Sequence, residues 1–131
     1  MNKKEQLFDV LTNLGYKPHE DADGDLTFRY QMKSIYALTG GDDGYVTIML
    51  PQFSDVEEGE EHIALAICNK LTRELKFAKV YVDGTLKSVS ASCEFYYSDG
   101  ESLKNNVENS IQVLGVMRTI YKKTQSELLN P

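Results

Sequence analysis

This sequence has no long apolar run, only two cysteines, and fewer basic than acidic residues. No stretch approaches the roughly 18 consecutive apolar residues that a membrane-spanning helix needs. The N-terminal segment MNKKEQLFDVLTNLG interrupts its apolar residues with Glu5, Gln6 and Asp9, so it lacks the continuous apolar region of a signal peptide. Neither a membrane protein nor a secreted protein is therefore expected.

The shortage of basic residues argues against nucleic acid as a partner. Lys and Arg number 14 against 20 Asp and Glu, which gives a net charge of −6 and repels a phosphate backbone. The only cysteines, Cys68 and Cys93, lie among apolar residues. They fit reduced, buried thiols of a cytoplasmic protein better than a disulfide framework. We expect a cytoplasmic chain.

What is present is typical of one folded domain. The 131 residues contain 41% hydrophobic and 26% charged residues, which are ordinary globular values. This length suffices for one hydrophobic core but not for two. No repeat, low-complexity tract or Pro/Gly-rich linker divides the chain, so residues 1–131 are predicted to form a single domain.

The first half of the chain predicts a helix followed by three strands. Apolar residues at helical spacing, an Asn2 cap and a closing Gly15 indicate the helix. DLTFRYQM alternates apolar and polar residues up to Met32, as a strand does. KSIYAL and YVTIML follow, joined by the loop TGGDDG, and Pro51 is expected to end the third strand.

The second half predicts a helix, a β-hairpin and a long final helix. Ser54 and Glu57 have capping-box spacing before a helix from about Val56 to Leu75. FAKVYV and KSVSASCEFYY flank the turn signal Asp83-Gly84. Ser98 and Glu101 then precede an apolar stripe that runs to Tyr121. The predicted order is α-β-β-β-α-β-β-α, an α+β fold with an antiparallel sheet of about five strands and helices packed on it.

Two acidic segments look like candidate metal sites, but a structural role explains each of them better. In HEDADGDLTFRY, one EF-hand register places Leu26 at position 6, and the other begins with His19, so neither provides the oxygen ligands that calcium requires. Asp and Gly residues are typical of a solvated turn. The acids of DVEEGEE are predicted to lie at a helix N-terminus, where the helix dipole favours them. No metal and no cofactor is expected.

Catalysis by a nucleophile is not expected either. His62 and Cys68 are six residues apart, about 240° around a helix, and therefore lie on different helix faces. Three serines, Ser88, Ser90 and Ser92, alternate with small apolar residues on one strand, but no nucleophile elbow surrounds them. Their face of the strand is either solvated, covered by a helix, or a polar surface for a partner's backbone.

The later part of the chain resembles the YbjN-like family of bacterial domains. The resemblance rests on Asn69 at a helix end, on FAKVYVDG, and on SDGESL before the last helix, within Cys68 to about Tyr121. It implies a fold like that of type III secretion chaperones. It also implies a non-enzymatic, dimer-prone domain with protein partners and no catalytic residues.

Aromatic side chains and a broad apolar stripe provide the candidate contact residues. The chain has eight Tyr and five Phe but no Trp, and aromatic residues exposed on a sheet are favoured in protein interfaces. The predicted partner-binding residues are Tyr45, Met49, Tyr81 and Tyr97. The last helix carries Val113, Val116 and Ile120 beside its main stripe, which predicts either a homodimer interface or burial against the second helix.

These patterns predict a function in protein binding. We expect a non-catalytic domain, chaperone-like or regulatory, that takes a protein or peptide along a sheet edge or over the sheet face. The alternative is a small-molecule sensor or enzyme with a pocket between the sheet and the final helix.

Overall fold

The computed structural model describes the whole chain, Met1–Pro131, as four helices and six strands. The helices are α1 (Lys3–Asn13), α2 (Glu61–Glu74), α3 (Gly100–Gly115) and α4 (Met117–Leu129). The strands are β1 (His19–Glu20), β2 (Leu26–Tyr30), β3 (Lys33–Leu38), β4 (Tyr45–Asp55), β5 (Lys79–Val82) and β6 (Ser88–Tyr96). All strand pairs are antiparallel, in the order β1-β2-β3-β4-β6-β5. The predicted α+β fold is confirmed, with the short β1 as the strand that was not expected.

The helices cover one side of this sheet. Helix α3 packs on β4 and β6, α1 contacts α3, and α2 contacts both β5 and α4. Alternate residues of the central strands point into this layer and are buried. They are Val46, Ile48 and Leu50 on β4, and Val89, Ala91, Cys93 and Phe95 on β6. The core lies entirely between the helices and this face.

The first helix has the predicted caps. The side chain of Asn2 accepts a hydrogen bond from the Glu5 amide at 2.9 Å. At the other end Gly15 has a φ of +97°, and the Gly15 and Tyr16 amides donate to the carbonyls of Thr12 and Leu11. This is a Schellman motif, in which glycine avoids the strain that a Cβ would cause.

Two predicted boundaries in the first half are wrong. Strand β2 ends at Tyr30, because Gln31 and Met32 form a hairpin turn in which both have positive φ. Pro51 does not end β4, which continues to Asp55 through a bulge between Leu50 and Ser54. A proline is tolerated there because a bulged residue needs no ladder hydrogen bond.

The helix that was predicted to begin near Val56 begins at Glu61 instead. Ser54 is a buried β4 residue, and α2 has Glu60 at its N-cap without a side-chain hydrogen bond. The acidic segment 55–61 therefore leads into the helix. The Glu61 carboxylate accepts a hydrogen bond from the Gly59 amide at 3.2 Å.

The final helix differs from the prediction at its start and in its middle. Its cap is Asp99, not Ser98, and Asp99 forms a capping box with Ser102. The helix breaks at Val116 into α3 and α4. At the break, Gly115 is buried so close to the Tyr30 ring that a Cβ there would lie 2.3 Å from Tyr30 Cε1. Only glycine fits this contact between β2 and the end of α3.

Candidate functional site

The side of the sheet opposite the helices is covered by no other element, and we call it the open face. Residues directly opposite each other in antiparallel strands share a face. The pairs Tyr36 to Met49, Met49 to Ser92 and Ser92 to Lys79 therefore define one row across β3, β4, β6 and β5. The other members follow from the same pairings: Thr27, Arg29, Ser34, Leu38, Tyr45, Thr47, Tyr81, Ser90, Glu94 and Tyr96.

The middle of the open face is apolar and aromatic. Met49 and Tyr36 are half-buried neighbours on β4 and β3. Further along β4, the rings of Tyr45 and Tyr96 pack with their centroids 4.9 Å apart, and Tyr96 is 76% exposed. A groove of about 430 Å³ extends from Met49, Tyr36 and Leu38 to the acidic turn between β1 and β2. This surface combines apolar centre and polar rim, as protein interfaces do.

One charged cluster lies beside the apolar centre. Glu94 accepts from both the Lys79 ammonium and the Tyr45 hydroxyl. The hydrogen bond from Lys79, followed by that from Tyr45, lowers the pKa of Glu94. The same contact with Glu94 raises the pKa of Tyr45. Lys79 also lies 5.9 Å from the Tyr81 ring centroid. Through Glu94, the contacts of Lys79 and Tyr45 link β5 to β4 on this face.

The serine row belongs to the open face but is neither solvated nor covered by a helix. Ser88, Ser90 and Ser92 are all buried among side chains of the neighbouring strands. Ser88 donates to Asp83 at 2.7 Å, and Ser90 Oγ accepts from the Gln52 amide at 2.9 Å. Ser92 Oγ makes no hydrogen bond within 3.5 Å, but it lies near enough to the Glu94 carboxylate to help lower the pKa of that group. Two of the three hydroxyls thus support the β-hairpin and the bulge.

Two alanine substitutions should separate these roles. Ser90→Ala leaves the Gln52 amide without an acceptor, so we expect it to lower the free energy of unfolding by about 1 to 2 kcal/mol. Ser92→Ala removes a buried hydroxyl that makes no close hydrogen bond, so the free energy of unfolding should change by less than about 1 kcal/mol. Urea unfolding of both variants measures the difference. Equal losses for the two would contradict the assigned roles.

The exposed edge of β5 is closed by a side chain of α2. The Val80 amide donates to Thr72 Oγ1 at 2.9 Å, and the Thr72 hydroxyl donates to the Val80 carbonyl at 3.1 Å. The outward backbone groups at the middle of β5 are therefore already paired. A partner strand would have to displace Thr72 to extend the sheet there, which leaves the face as the accessible route.

Burial disfavours ionisation of both thiols. Cys68 on α2 and Cys93 on β6 are buried in the core. Burial raises the pKa of each thiol to about 11, so almost none is present as the reactive thiolate near neutral pH. No group of three or more His, Cys, Asp or Glu side chains is placed to hold a metal ion.

The acidic turn HEDADGDLTFRY is held together by its own carboxylates. Asp21 Oδ1 accepts from the Asp23 and Asp25 amides at 2.9 and 3.0 Å. Asp25 Oδ1 accepts from the Thr39 amide at 2.8 Å, which ties the turn to the end of β3. Gly24 has a φ of +86°. The predicted turn is confirmed, and it fixes one rim of the open face.

Comparison with known proteins gives the family. The family model of YbjN, described as "Putative bacterial sensory transduction regulator", matches residues 3–113. The chain belongs to the YbjN family. No curated protein sequence matches it, and no helix is both long and apolar enough to cross a bilayer.

Solved structures share the YbjN fold at low sequence identity. E. coli YbjN, described as "a putative transcription regulator", is 12% identical with a TM-score of 0.67, covering 95% of this chain and 92% of that one. An uncharacterized protein from Methanothermobacter thermautotrophicus is also 12% identical, with a TM-score of 0.51 and coverage of 92% and 98%. At such identity these likenesses establish the fold alone.

Three of the four predicted partner residues of this YbjN-family chain meet on the open face. Tyr45, Met49 and Tyr81 lie there. Tyr97 does not, because it follows Tyr96 and points to the helix side, where its hydroxyl donates to Gln6 Oε1 at 2.8 Å. The prediction omitted Tyr36 and Tyr96, although the alternation along β3 and β6 places them on the same face.

The predicted dimer residues are divided by the helix break. Val113 and Ile120 are half-buried and pack against the core of their own chain. Val116 lies at the break and is 49% exposed. Contact between α2 and α4 accounts for part of the widened stripe, and self-association through these residues stays a prediction.

A cleft occupies the region where a pocket between the sheet and the final helix was predicted as the alternative. It has a volume of about 370 Å³ and lies between β3, the β4 bulge and Arg118 of α4. Its lining shares Ser34 and Tyr36 with the open face and adds the cations Lys33 and Arg118 and the apolar residues Leu50, Pro51 and Phe53.

Proposed function

We propose that this YbjN-family chain is a non-catalytic, cytoplasmic regulatory domain that binds a protein partner across the open face. The observation that carries the proposal is the apolar and aromatic cluster of Tyr36, Met49, Tyr45 and Tyr96 on the open face. This cluster remains partly exposed, although a full layer of helices covers the other side of the sheet. Uncovered aromatic and apolar groups at the centre of a polar rim are typical binding anchors. The family description as a sensory transduction regulator is consistent with such a role.

The structure favours the face over the edge as the place of binding. Thr72 already pairs the backbone of Val80 on β5, and the opposite edge strand, β1, has only two residues. A segment laid over the face meets Met49 and Tyr36 directly. The groove there also reaches Asp21, Asp23 and Asp25, so a partner segment with an apolar residue next to a basic one matches the surface in shape and charge.

The absence of catalysis is part of the proposal. Its support is that the polar clusters bind other parts of the chain: Asp21 and Asp25 fix a turn, Ser88 binds Asp83, and Ser90 binds the bulge. The two thiols, which are the strongest nucleophiles of the sequence, are buried with pKa values of about 11. These groups stabilise the fold and are not available for chemistry.

A charge placed at the centre of the open face tests the proposal. In Met49→Arg the new cation lies where the partner's apolar residue would pack, so binding should weaken by roughly 30-fold or more. The matched control is Leu65→Arg, because Leu65 is a hydrophobic residue of α2 that is 51% exposed and away from the face. The measurement is capture of partners from native bacterial lysate by the tagged wild type and both variants, after thermal unfolding has shown that both are folded.

The expected result is a protein retained by the wild type and by Leu65→Arg but lost from Met49→Arg. Identical captured proteins for all three chains would contradict binding at the open face. A partner lost only from Leu65→Arg would place the interface on α2 instead.

A further inference from the structure

The cleft beside the β4 bulge exists because two neighbouring strands separate. Strand β3 pairs with β4 only from Tyr36 to Leu38. Beyond Leu50, β4 passes into the bulge of Pro51, Gln52 and Phe53, so the first residues of β3, Lys33 and Ser34, lose that neighbour. The resulting opening has a volume of about 370 Å³ and is bounded on its far side by Arg118 in the first turn of α4.

The bulge that forms this cleft is held by contacts on both sides. Gln52 has a φ of +50°, and its amide is bound by Ser90. The Phe53 ring packs edge-on against Tyr121 of α4, with centroids 5.7 Å apart. The walls of the cleft are therefore fixed by the sheet and by the buried side of α4, and the opening is a built feature of the fold.

Cations without counter-ions line this cleft in a chain whose net charge is −6. Lys33 and Arg118 belong to the lining, and no carboxylate does. Neither residue takes part in any of the three ion pairs of the protein. The Lys33 ammonium has only a long contact, 3.4 Å, to the Gln31 carbonyl. Two cations without counter-ions in the lining of one opening attract an anion.

The residues around these cations add donors and an apolar wall. Arg29 binds Ser34 Oγ at 3.0 Å, which adds a third cation near the cleft and leaves the Ser34 hydroxyl proton free to donate. Pro51 and Phe53 form the apolar side. Carboxylates line the two adjoining grooves: Asp55 and Glu57 in the one that shares Arg118, and Asp21, Asp23 and Asp25 in the one that shares Tyr36 and Pro51. None of them lies within 4 Å of a cation.

We propose that this cleft binds a small organic anion. Its carboxylate or phosphate group lies between Lys33 and Arg118, where a guanidinium provides two parallel hydrogen bonds to paired oxygens. Its apolar part packs on Pro51 and Phe53. The pocket size is that of a small metabolite. Tyr36 borders both the cleft and the open face, yet anion binding requires no protein partner, so the two proposals fail separately.

Titration of the ¹⁵N-labelled full chain followed by two-dimensional NMR tests this inference. The probes are inorganic phosphate, phenyl phosphate and benzoate, which separate the charge from the ring and phosphate from carboxylate. The amides of Ser34, Gln52 and Phe53 should shift saturably with at least one aromatic probe. Arg118→Gln should weaken that binding by roughly tenfold or more.

The matched control is Arg73→Gln, which removes the same charge from the exposed end of α2. It should leave the affinity unchanged. The inference is overturned if none of the three probes gives saturable shifts at the cleft, or if Arg118→Gln and Arg73→Gln weaken binding equally. Equal affinity for inorganic phosphate and phenyl phosphate, without binding of benzoate, overturns the assignment of an organic ligand.

Discussion

Lys3→Met is expected to lower the free energy of unfolding by about 3 kcal/mol, because it removes a buried charge that three carbonyl groups share. Lys3 is 5% exposed. Its ammonium donates to the carbonyls of Gly40, Asp42 and Tyr45 at 2.7, 2.9 and 2.9 Å. One side chain thereby attaches α1 to the loop between β3 and β4. Methionine preserves the volume of the side chain but satisfies none of these acceptors.

The neighbouring lysine is the control for this prediction. Lys4 is paired with Glu20 on the surface, and exposed ion pairs contribute only about 0 to 1 kcal/mol. Urea unfolding at neutral pH should therefore show a large loss for Lys3→Met and a small one for Lys4→Met. Similar losses for the two variants would mean that the three carbonyl contacts do not carry stability.

Tyr121→Ala should be at least as destabilising, by about 3 to 5 kcal/mol, because it empties the volume of a large core side chain. Tyr121 is 1% exposed. Its ring packs against Phe53 of the bulge, and burial raises the pKa of its hydroxyl to about 12. The residue therefore joins α4 to the part of β4 that departs from regular pairing.

Tyr121→Phe separates the ring from the hydroxyl. It keeps the packing and should cost less than about 1 kcal/mol. Both variants are compared with the wild type by chemical unfolding, together with the NMR signals of Gln52 and Phe53. A small loss for Tyr121→Ala, or a loss for Tyr121→Phe as large as that for alanine, would contradict the packing role.

Patterns that depend on neighbouring residues predicted the local structure well. The cap at Asn2, the Gly15 end of α1 and the alternation that places three serines on one face of β6 are all in the structure. The errors come from contacts between distant parts of the chain. From the sequence alone, Pro51 predicts the end of a regular strand. In the structure, however, Ser90 on β6 accepts a hydrogen bond from the Gln52 amide of the bulge. The close approach of Gly115 to the Tyr30 ring of β2, next to the helix break, likewise joins distant parts of the chain.

At the candidate sites, too, local patterns predicted some features, and contacts between distant residues determined the others. Tyr45 and Met49 were predicted as partner-binding residues, and both lie on one face of β4 together with Tyr81 of β5. The sequence could not place Tyr97, because the pairing of Tyr45 with Tyr96 decides to which face of the sheet Tyr96 and Tyr97 point. The role of Lys3 could not be predicted from the sequence, since its acceptors are about forty positions away. The cleft depends on a bulge and a helix break at once, so no local pattern could have revealed it.

The most direct test of binding at the open face is hydroxyl-radical footprinting of the complex between this chain and its captured partner. Met49, Tyr36 and Tyr96 should be oxidised less in the complex than in the free chain. Met32 is the internal reference, because it is 89% exposed at the tip of the turn between β2 and β3, and its oxidation should not change. Undiminished oxidation of all three open-face residues, with protection elsewhere, would contradict the account.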